Sequence, residues 1–341
     1  MPGPIHYFCT GEHSYTVGIF TAMWADRIAA EFKIVPYPTL RNIRHFGPGV
    51  FIFTDFDRQS VERRSRAALL ADRLAANGCR VLNHPLRSLR RYDLLRKLHR
   101  HGINAFGTYR IADLREVRRF PVFIRSEAEH GRRLTGLLAD ESALERAVAS
   151  LPDGGEDDLM IVEFGNVRSA DGRYRKYSAY RVGSEIYASE CQSCDHWWVK
   201  YSTAEDDDKD REENDRFVAD NPHRDQLHTI FEMAQIAYGR ADYCIVDGRV
   251  QLFEINTNPT IAHVVGKPGT TQEEYTRRHE DALLRLLGEG SGMPRTDNAL
   301  FVPGLPEQDS DSVNVALLAW GRGYWAQRWG EAQAGEGARA L

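Results

Sequence analysis

No apolar run in this 341-residue chain approaches the ~20 residues that a membrane-spanning helix needs. The opening MPGPIHYF has neither a basic stretch nor a long apolar core, so it does not read as an export signal and a cytoplasmic location is expected. Basic charge is not in excess either. Against 49 Asp and Glu stand 44 Lys and Arg, a formal net charge of -5, and that removes the broad positive surface that nucleic acid demands. Neither a membrane nor nucleic acid is therefore expected as a partner. Cysteine is scarce, with 5 residues, and an odd count in a long chain suits a reducing compartment better than a disulfide framework. Cys191 and Cys194 with His196 have part of a zinc spacing, but no fourth ligand stands nearby, and ordinary packed thiols explain them. No segment repeats at a solenoid period. The chain also shows no Ser-His or Cys-His arrangement of the kind a covalent acyl-enzyme uses.

What is present is enough length to bury a sizeable core, spread over two or three subdomains. Residues 5–9, 50–54 and 80–82 read as short apolar strands, with helical patterns over 16–32 and 61–76 between them. Strands alternating with helices predict a small parallel α/β domain over residues 1–88. Ligands of such sheets gather at the carboxyl ends of the strands. His13, Asp55, Asp57 and Asn83 each fall just after a strand, which makes them candidates for holding a substrate. Beyond residue 88 helices are expected over 89–101, 140–150, 226–238 and 273–287, and strands over 108–111, 120–125, 159–163, 173–182 and 185–189. The run EDDDKDREEND at 205–215 carries no apolar period and reads as a solvated loop. His196-Trp197-Trp198-Val199-Lys200 reads as a core anchor, and 313–329 as an aromatic-rich helix before a frayed tail.

The stretch with the most chemistry is GRADYCIVDGRVQLFEINTNPT, residues 239–260. Residues 241–246 and 250–255 favour strands, and Asp247-Gly248 is a strong hairpin turn signal. Period-2 alternation puts Leu252, Glu254 and Asn256 on one face, and the turn folds Asp242 back toward them. Two carboxylates and an amide oxygen on rigid strands suit one or two Mg²⁺ ions, which prefer oxygen and take few protein ligands. Arg240 would add charge for a phosphoryl group in the transition state.

The order Arg240-x-Asp242 followed by Glu254-x-Asn256-x-x-Pro259 resembles the metal-binding hairpin of the ATP-grasp superfamily. The resemblance spans roughly residues 90–287 and is strongest at the hairpin. It implies a two-lobed fold after the first domain, with lobes over 89–163 and 164–287 and an extension over 288–341. It also implies ATP with Mg²⁺ or Mn²⁺, held by Asp242, Glu254 and Asn256, with Arg240 as the catalytic arginine. Lys97 falls near a lysine that the family uses on phosphates. Arg125 stands at a strand end where the family usually has lysine, ahead of a loop containing His130-Gly131. The strand Met160 to Phe164, with Glu163, resembles the hinge on which adenine lies. Ser178 replaces a usual arginine, and Lys176 or Arg175 is placed to take over its contact. The implied reaction activates a carboxylate as an acylphosphate and joins it to an amine or thiol, the acid being a small carboxylate, an amino acid or a peptide. A small-molecule kinase and a non-catalytic nucleotide-binding scaffold are the alternatives. The acceptor is expected near Thr10 to Ser14 and Asp55 to Arg58, with Arg58, Arg175 or Lys176 answering its carboxylate.

Overall fold

The computed structural model describes residues 3–42, 45–128, 133–152, 156–165, 167–199, 208–262, 271–289 and 300–301. The chain divides into two units, one of Met1–Phe56, Val61–Pro85 and Asn258–Leu341, the other of Asp57–Ser60 and Leu86–Thr257.

In the first unit β1 (Ile5–Cys9), β2 (Phe32–Pro36), β4 (Val50–Phe53) and β5 (Arg80–Leu82) form a parallel sheet in the order β2-β1-β4-β5. Every residue of the two central strands is buried, as expected of parallel strands covered on both faces. Helix α1 (Tyr15–Met23) follows β1, and α2 (Val61–Ala76) sets Ala67, Leu70, Ala71 and Leu74 against Phe8, Phe51 and Phe53. That i, i+3, i+4, i+7 stripe is what makes 61–76 a helix and buries one of its faces. A short pairing of β3 (His45–Phe46) with β13 (Leu300–Phe301) and the long helix α7 (Thr271–Glu289) complete the unit. Glu280 of α7 accepts from the backbone N of Arg27 at 2.8 Å and from its Nε at 2.7 Å.

One expectation fails here. The helical pattern over 16–32 ends at Met23, and Phe32 opens a strand that pairs with β1 from Ile5↔Phe32 to Cys9↔Pro36. β2 lies at the sheet edge, where a proline costs no ladder hydrogen bond, and pairing with β1 overrides the weak helical period.

The second unit holds two antiparallel sheets. The smaller, β6-β8-β7, joins β6 (Thr108–Arg110), β8 (Leu159–Glu163) and β7 (Val122–Ser126). Val122, Ile124 and Ile161 of this sheet pack with Leu144 of α4 (Glu141–Ala149). The Asp140 side chain caps α4 by accepting from Ala143 N at 2.8 Å. Helix α3 (Arg91–Arg100) precedes the sheet. The larger sheet runs β10-β9-β11-β12, from β9 (Tyr174–Val182), β10 (Glu185–Cys194), β11 (Tyr238–Val246) and β12 (Arg249–Asn256). Asp247 and Gly248 turn β11 into β12 with φ of 49° and 74°, the positive pair that a type I′ turn requires.

The acidic run is the second correction. From Asp208 onward it is helical, as α5 (Asp208–Asp220), followed by α6 (Arg224–Ala234). The face of α5 turned to the sheet is mostly polar. Asp210 accepts from Arg173 at 2.9 Å and from Ser193 at 2.5 Å, Glu213 from Arg175 at 2.7 Å, and Asn214 from the backbone N of Cys191 at 2.8 Å. Only Phe217 and Val218 are buried apolar residues, so a search for apolar periodicity has little to find. Residues 205–207 and the helix expected over 313–329 lie outside the described residues. No helix among the described residues is long and apolar enough to cross a membrane.

Candidate active site

Asp242 and Glu254 face each other as direct partners in the β11–β12 ladder, and Arg240 faces Asn256 two residues away. Both carboxylates are buried, with residue exposures of 4% and 6%. Such acids survive only when their charge is answered. Asp242 accepts from Arg240 Nε at 2.9 Å and from Ser178 Oγ at 3.1 Å, and Lys176 Nζ stands 3.8 Å away. Burial works to raise its carboxyl, but Arg240 and Lys176 outweigh it and hold the group below the usual range. One oxygen of Glu254, Oε2, meets two guanidinium groups, Arg91 of α3 and Arg125 of β7, the latter at 3.3 Å. Burial, aided by the like charge of Arg91, brings Arg125 down to about 10. Arg91 also donates to the Ser126 and Glu127 carbonyls at 3.2 and 2.7 Å. Four cations thus surround two carboxylates, and the surplus is positive.

These groups form the polar end of a cavity. Arg125, Lys176, Asp242 and Glu254 line that end, and the lining also includes Leu95, Phe106, Phe123, Val162, Phe164, Trp197, Trp198 and Phe253. Trp197 packs on Phe123 and Phe164 with ring centroids 5.3 and 5.4 Å apart, and Arg133 lies 4.9 Å from the Trp197 ring centre. An apolar, aromatic slot ending in cations fits a flat base attached to a polyanion. The donor chemistry also fits a hard divalent ion, since neither His nor Cys lines the cavity. Among the described residues no three His, Cys, Asp or Glu side chains cluster as a metal cage. An ion here would therefore rest on two carboxylates, the Asn256 amide and oxygens from elsewhere, as Mg²⁺ tolerates.

No protein-family model matches the chain, and no curated protein matches its sequence. Solved structures do match it. The ATP-grasp ligase PsnB, complexed with a precursor peptide and AMPPNP, is similar with a TM-score of 0.51 at 14% identity, over 83% of this chain and 98% of that one. Carboxyaminoimidazole ribonucleotide synthase from Asperigillus clavatus, complexed with ATP, gives 0.50 at 10% identity, over 88% and 80%. The chain has the ATP-grasp fold. D-alanine–D-alanine ligase from Bacillus anthracis, complexed with ATP, gives 0.49 at 13% identity, over 84% and 99%.

Within this ATP-grasp fold the residues singled out from sequence part company. Asp242, Glu254, Arg125, Lys176, Glu163 and Phe164 line the cavity. Arg240 is not among the lining residues; it donates to Asp242 through Nε at 2.9 Å and Nη2 at 3.3 Å. Lys97 is also elsewhere, donating to the Met233 carbonyl at 2.9 Å and so tying α3 to α6. Arg91, six residues earlier, is the α3 cation that reaches the carboxylates. Met160 is fully buried beside Arg125 in the ladder and does not line the cavity. Glu163 is occupied structurally, accepting from Gly107 N at 2.7 Å, Tyr109 Oη at 2.9 Å and Arg119 Nη2 at 2.7 Å. Asp57 is buried with its Oδ1 3.9 Å from Arg90 Nε, and burial pushes its carboxyl up to about 6; half-buried Arg58 adjoins it. His13 and Asp55 lie in the first unit, joined through Thr10. The sheet also brings in Arg91, Trp197 and Trp198, which were not expected. Arg91 sits in a basic run without a pattern of its own, and the two tryptophans read equally well as core. His130 and Gly131 lie outside the described residues.

Proposed function

We propose that this protein is an ATP-dependent ligase that activates a carboxylate as an acylphosphate and joins it to an amine. The observation that carries the reading is the opposed pair Asp242 and Glu254, each wrapped by cations, at the polar end of an aromatic cavity. The aromatic walls hold the base, with Trp197 and Phe164 against its faces. Arg125 and Lys176, which line the cavity, are placed to exchange their carboxylate partners for phosphate oxygens, and Asp242 and Glu254 are the groups that would hold a metal. They would hold magnesium, which would supply positive charge against the charge developing on the transferred phosphoryl group. Arg240 keeps Asp242 ionised and oriented. Nothing in this arrangement forms a covalent bond to substrate, so positioning and charge supply the catalysis.

The fold supports a ligase because PsnB and the ribonucleotide synthase share it; the substrate is a separate matter. The test is product analysis. The protein is incubated with ATP, Mg²⁺ and pools of amino acids, peptides and small acids, and products are followed by mass spectrometry. ADP with free phosphate and a new amide is the expected outcome, and Glu254→Gln should lower turnover by a factor of ~100 or more. ADP with a phosphorylated acceptor would make the protein a kinase instead, and ATP binding without turnover would make it a scaffold.

A further inference from the structure

The segment that follows β7 turns back along it. Leu138 N donates to the Val122 carbonyl at 2.7 Å and Val122 N to the Leu138 carbonyl at 3.0 Å, while Leu134 N donates to the Ile124 carbonyl at 2.9 Å. Thr135 Oγ1 accepts from Ile124 N at 3.0 Å. This return arm sets Arg133 directly across from Arg125. Like charges so placed repel, and each needs its own answer. Arg125 has Glu254 Oε2 at 3.3 Å. Arg133 has the indoles: its guanidinium carbon stands over Trp197, 4.9 Å from the ring centre, and over Trp198 at 5.7 Å. Phe123, Phe164 and Trp198 also pack on Trp197, with centres 5.3, 5.4 and 5.5 Å away at interplanar angles of 52°, 70° and 73°. None of these three rings lies flat on the indole. Hydrogen bonds at His196 are local to the loop that carries Trp197: Trp198 N donates to His196 Nδ1 at 3.1 Å, and Cys194 Sγ to the His196 carbonyl at 3.0 Å. The contacts of Trp197 with Phe123 and Arg133 tie that loop to β7 and its return arm instead.

We propose that Arg133 is a positioning residue for the nucleotide base: it fixes the plane of Trp197, so that the base meets an indole already in place. The inference rests on the reading of the cavity as a nucleotide site. Trp197 lines the cavity and Arg133 does not, so Arg133 reaches a ligand through the indole rather than by contact. A cation over an indole is held by the ring electrons, and a side chain ordered before binding spares the ligand the cost of ordering it. Arg133 therefore serves base binding and not phosphate binding, although it is a cation opposite another cation of the same cavity. Arg125, which does line the cavity, is the member of the pair left to the phosphates.

Calorimetric titration of the full chain with adenosine, ATP and inorganic tripolyphosphate tests this. Arg133→Ala should weaken adenosine and ATP by the same factor, about 5-fold, and leave tripolyphosphate unchanged. Arg133→Lys, which keeps a cation over the ring, should recover most of the loss. In a Trp197→Ala background Arg133→Ala should have no further effect on adenosine, because the residue through which it acts is gone. Weakened tripolyphosphate in Arg133→Ala, adenosine affinity equal to the parent's, or a full second loss in the double variant overturns the proposal and leaves the nucleotide site standing. A parent that binds tripolyphosphate but neither adenosine nor ATP overturns the nucleotide reading itself, and the positioning role falls with it.

Discussion

At Glu254 one carboxylate oxygen answers two buried guanidinium groups, and removal of either changes the charge that the interior must bear. Arg91→Ala takes one of the two guanidinium groups from Glu254 Oε2 and strips a donor from the Ser126 and Glu127 carbonyls. Breaking a buried pair of this kind costs about 3–5 kcal/mol, so denaturant unfolding should show a loss of that order. Arg91→Lys, which keeps the charge but not the fork, should fall between the two. Asp57 behaves differently. Burial raises its pKa from 3.8 to about 6, so the folded state keeps the proton to higher pH than the unfolded chain does. Its contribution is then most favourable below pH ~4 and is lost as pH rises toward ~6, by about 3 kcal/mol. Asp57→Asn should flatten that slope in thermal melts and raise stability at neutral pH; an unchanged slope would remove the assignment. At this scale the sequence was informative where residue type and spacing coincide. Asp242 and Glu254 could be set side by side because strand parity and the hairpin turn fix which residues face each other, whereas Arg125 was named only through the family resemblance. Arg91 could not be singled out, because a helix position near a run of arginines has several equivalent neighbours and only the sheet decides which one is enclosed.

Helix α5 shows how an element can form without the pattern used to find it. Asp210, Glu213 and Asn214 face β9 and β10 through ionic and polar contacts, so its buried stripe is written in charge. Charge-assisted hydrogen bonds of this kind contribute roughly 1.5–3 kcal/mol each. Asp210→Ala, which removes the acceptor of the Arg173 and Ser193 bonds, should speed amide exchange across α5 while the β9–β10 ladder stays protected; equal exchange in both would show that α5 is held some other way. The loop after β10 makes the complementary point. His196-Trp197-Trp198 looked like a core anchor, yet Trp197 and Trp198 line the cavity beside Phe123 and Phe164. Nothing in an aromatic pair says whether its outer face meets protein or ligand. Trp197→Ala should weaken ATP affinity by roughly tenfold, the scale of one stacking interaction, with little change in the melting temperature. The β11–β12 hairpin, the turn at Asp247-Gly248 and the helix 61–76 were legible because each depends on local rules that its own residues satisfy.

For the molecule as a whole, strand and helix alternation over the first 88 residues was readable, whereas the membership of later segments was not. The chain leaves the first unit after Pro85 and returns to it at Asn258, so α7 belongs with the parallel sheet rather than with the hairpin that precedes it. Unit membership is set by contacts between distant segments, and one sequence does not record them. The ATP-grasp fold is carried here at 10–14% identity to the solved structures, which leaves the chemistry to the site. The central claim is that a carboxylate oxygen attacks the γ-phosphate and that the acylphosphate then yields to a nucleophile. The direct measurement is oxygen transfer: amino acids labelled with oxygen-18 in the carboxylate are turned over with ATP and Mg²⁺, and the released phosphate is weighed by mass spectrometry. The account predicts one labelled oxygen in each phosphate released with product; phosphate free of label, or phosphate retained on the acceptor, would contradict it.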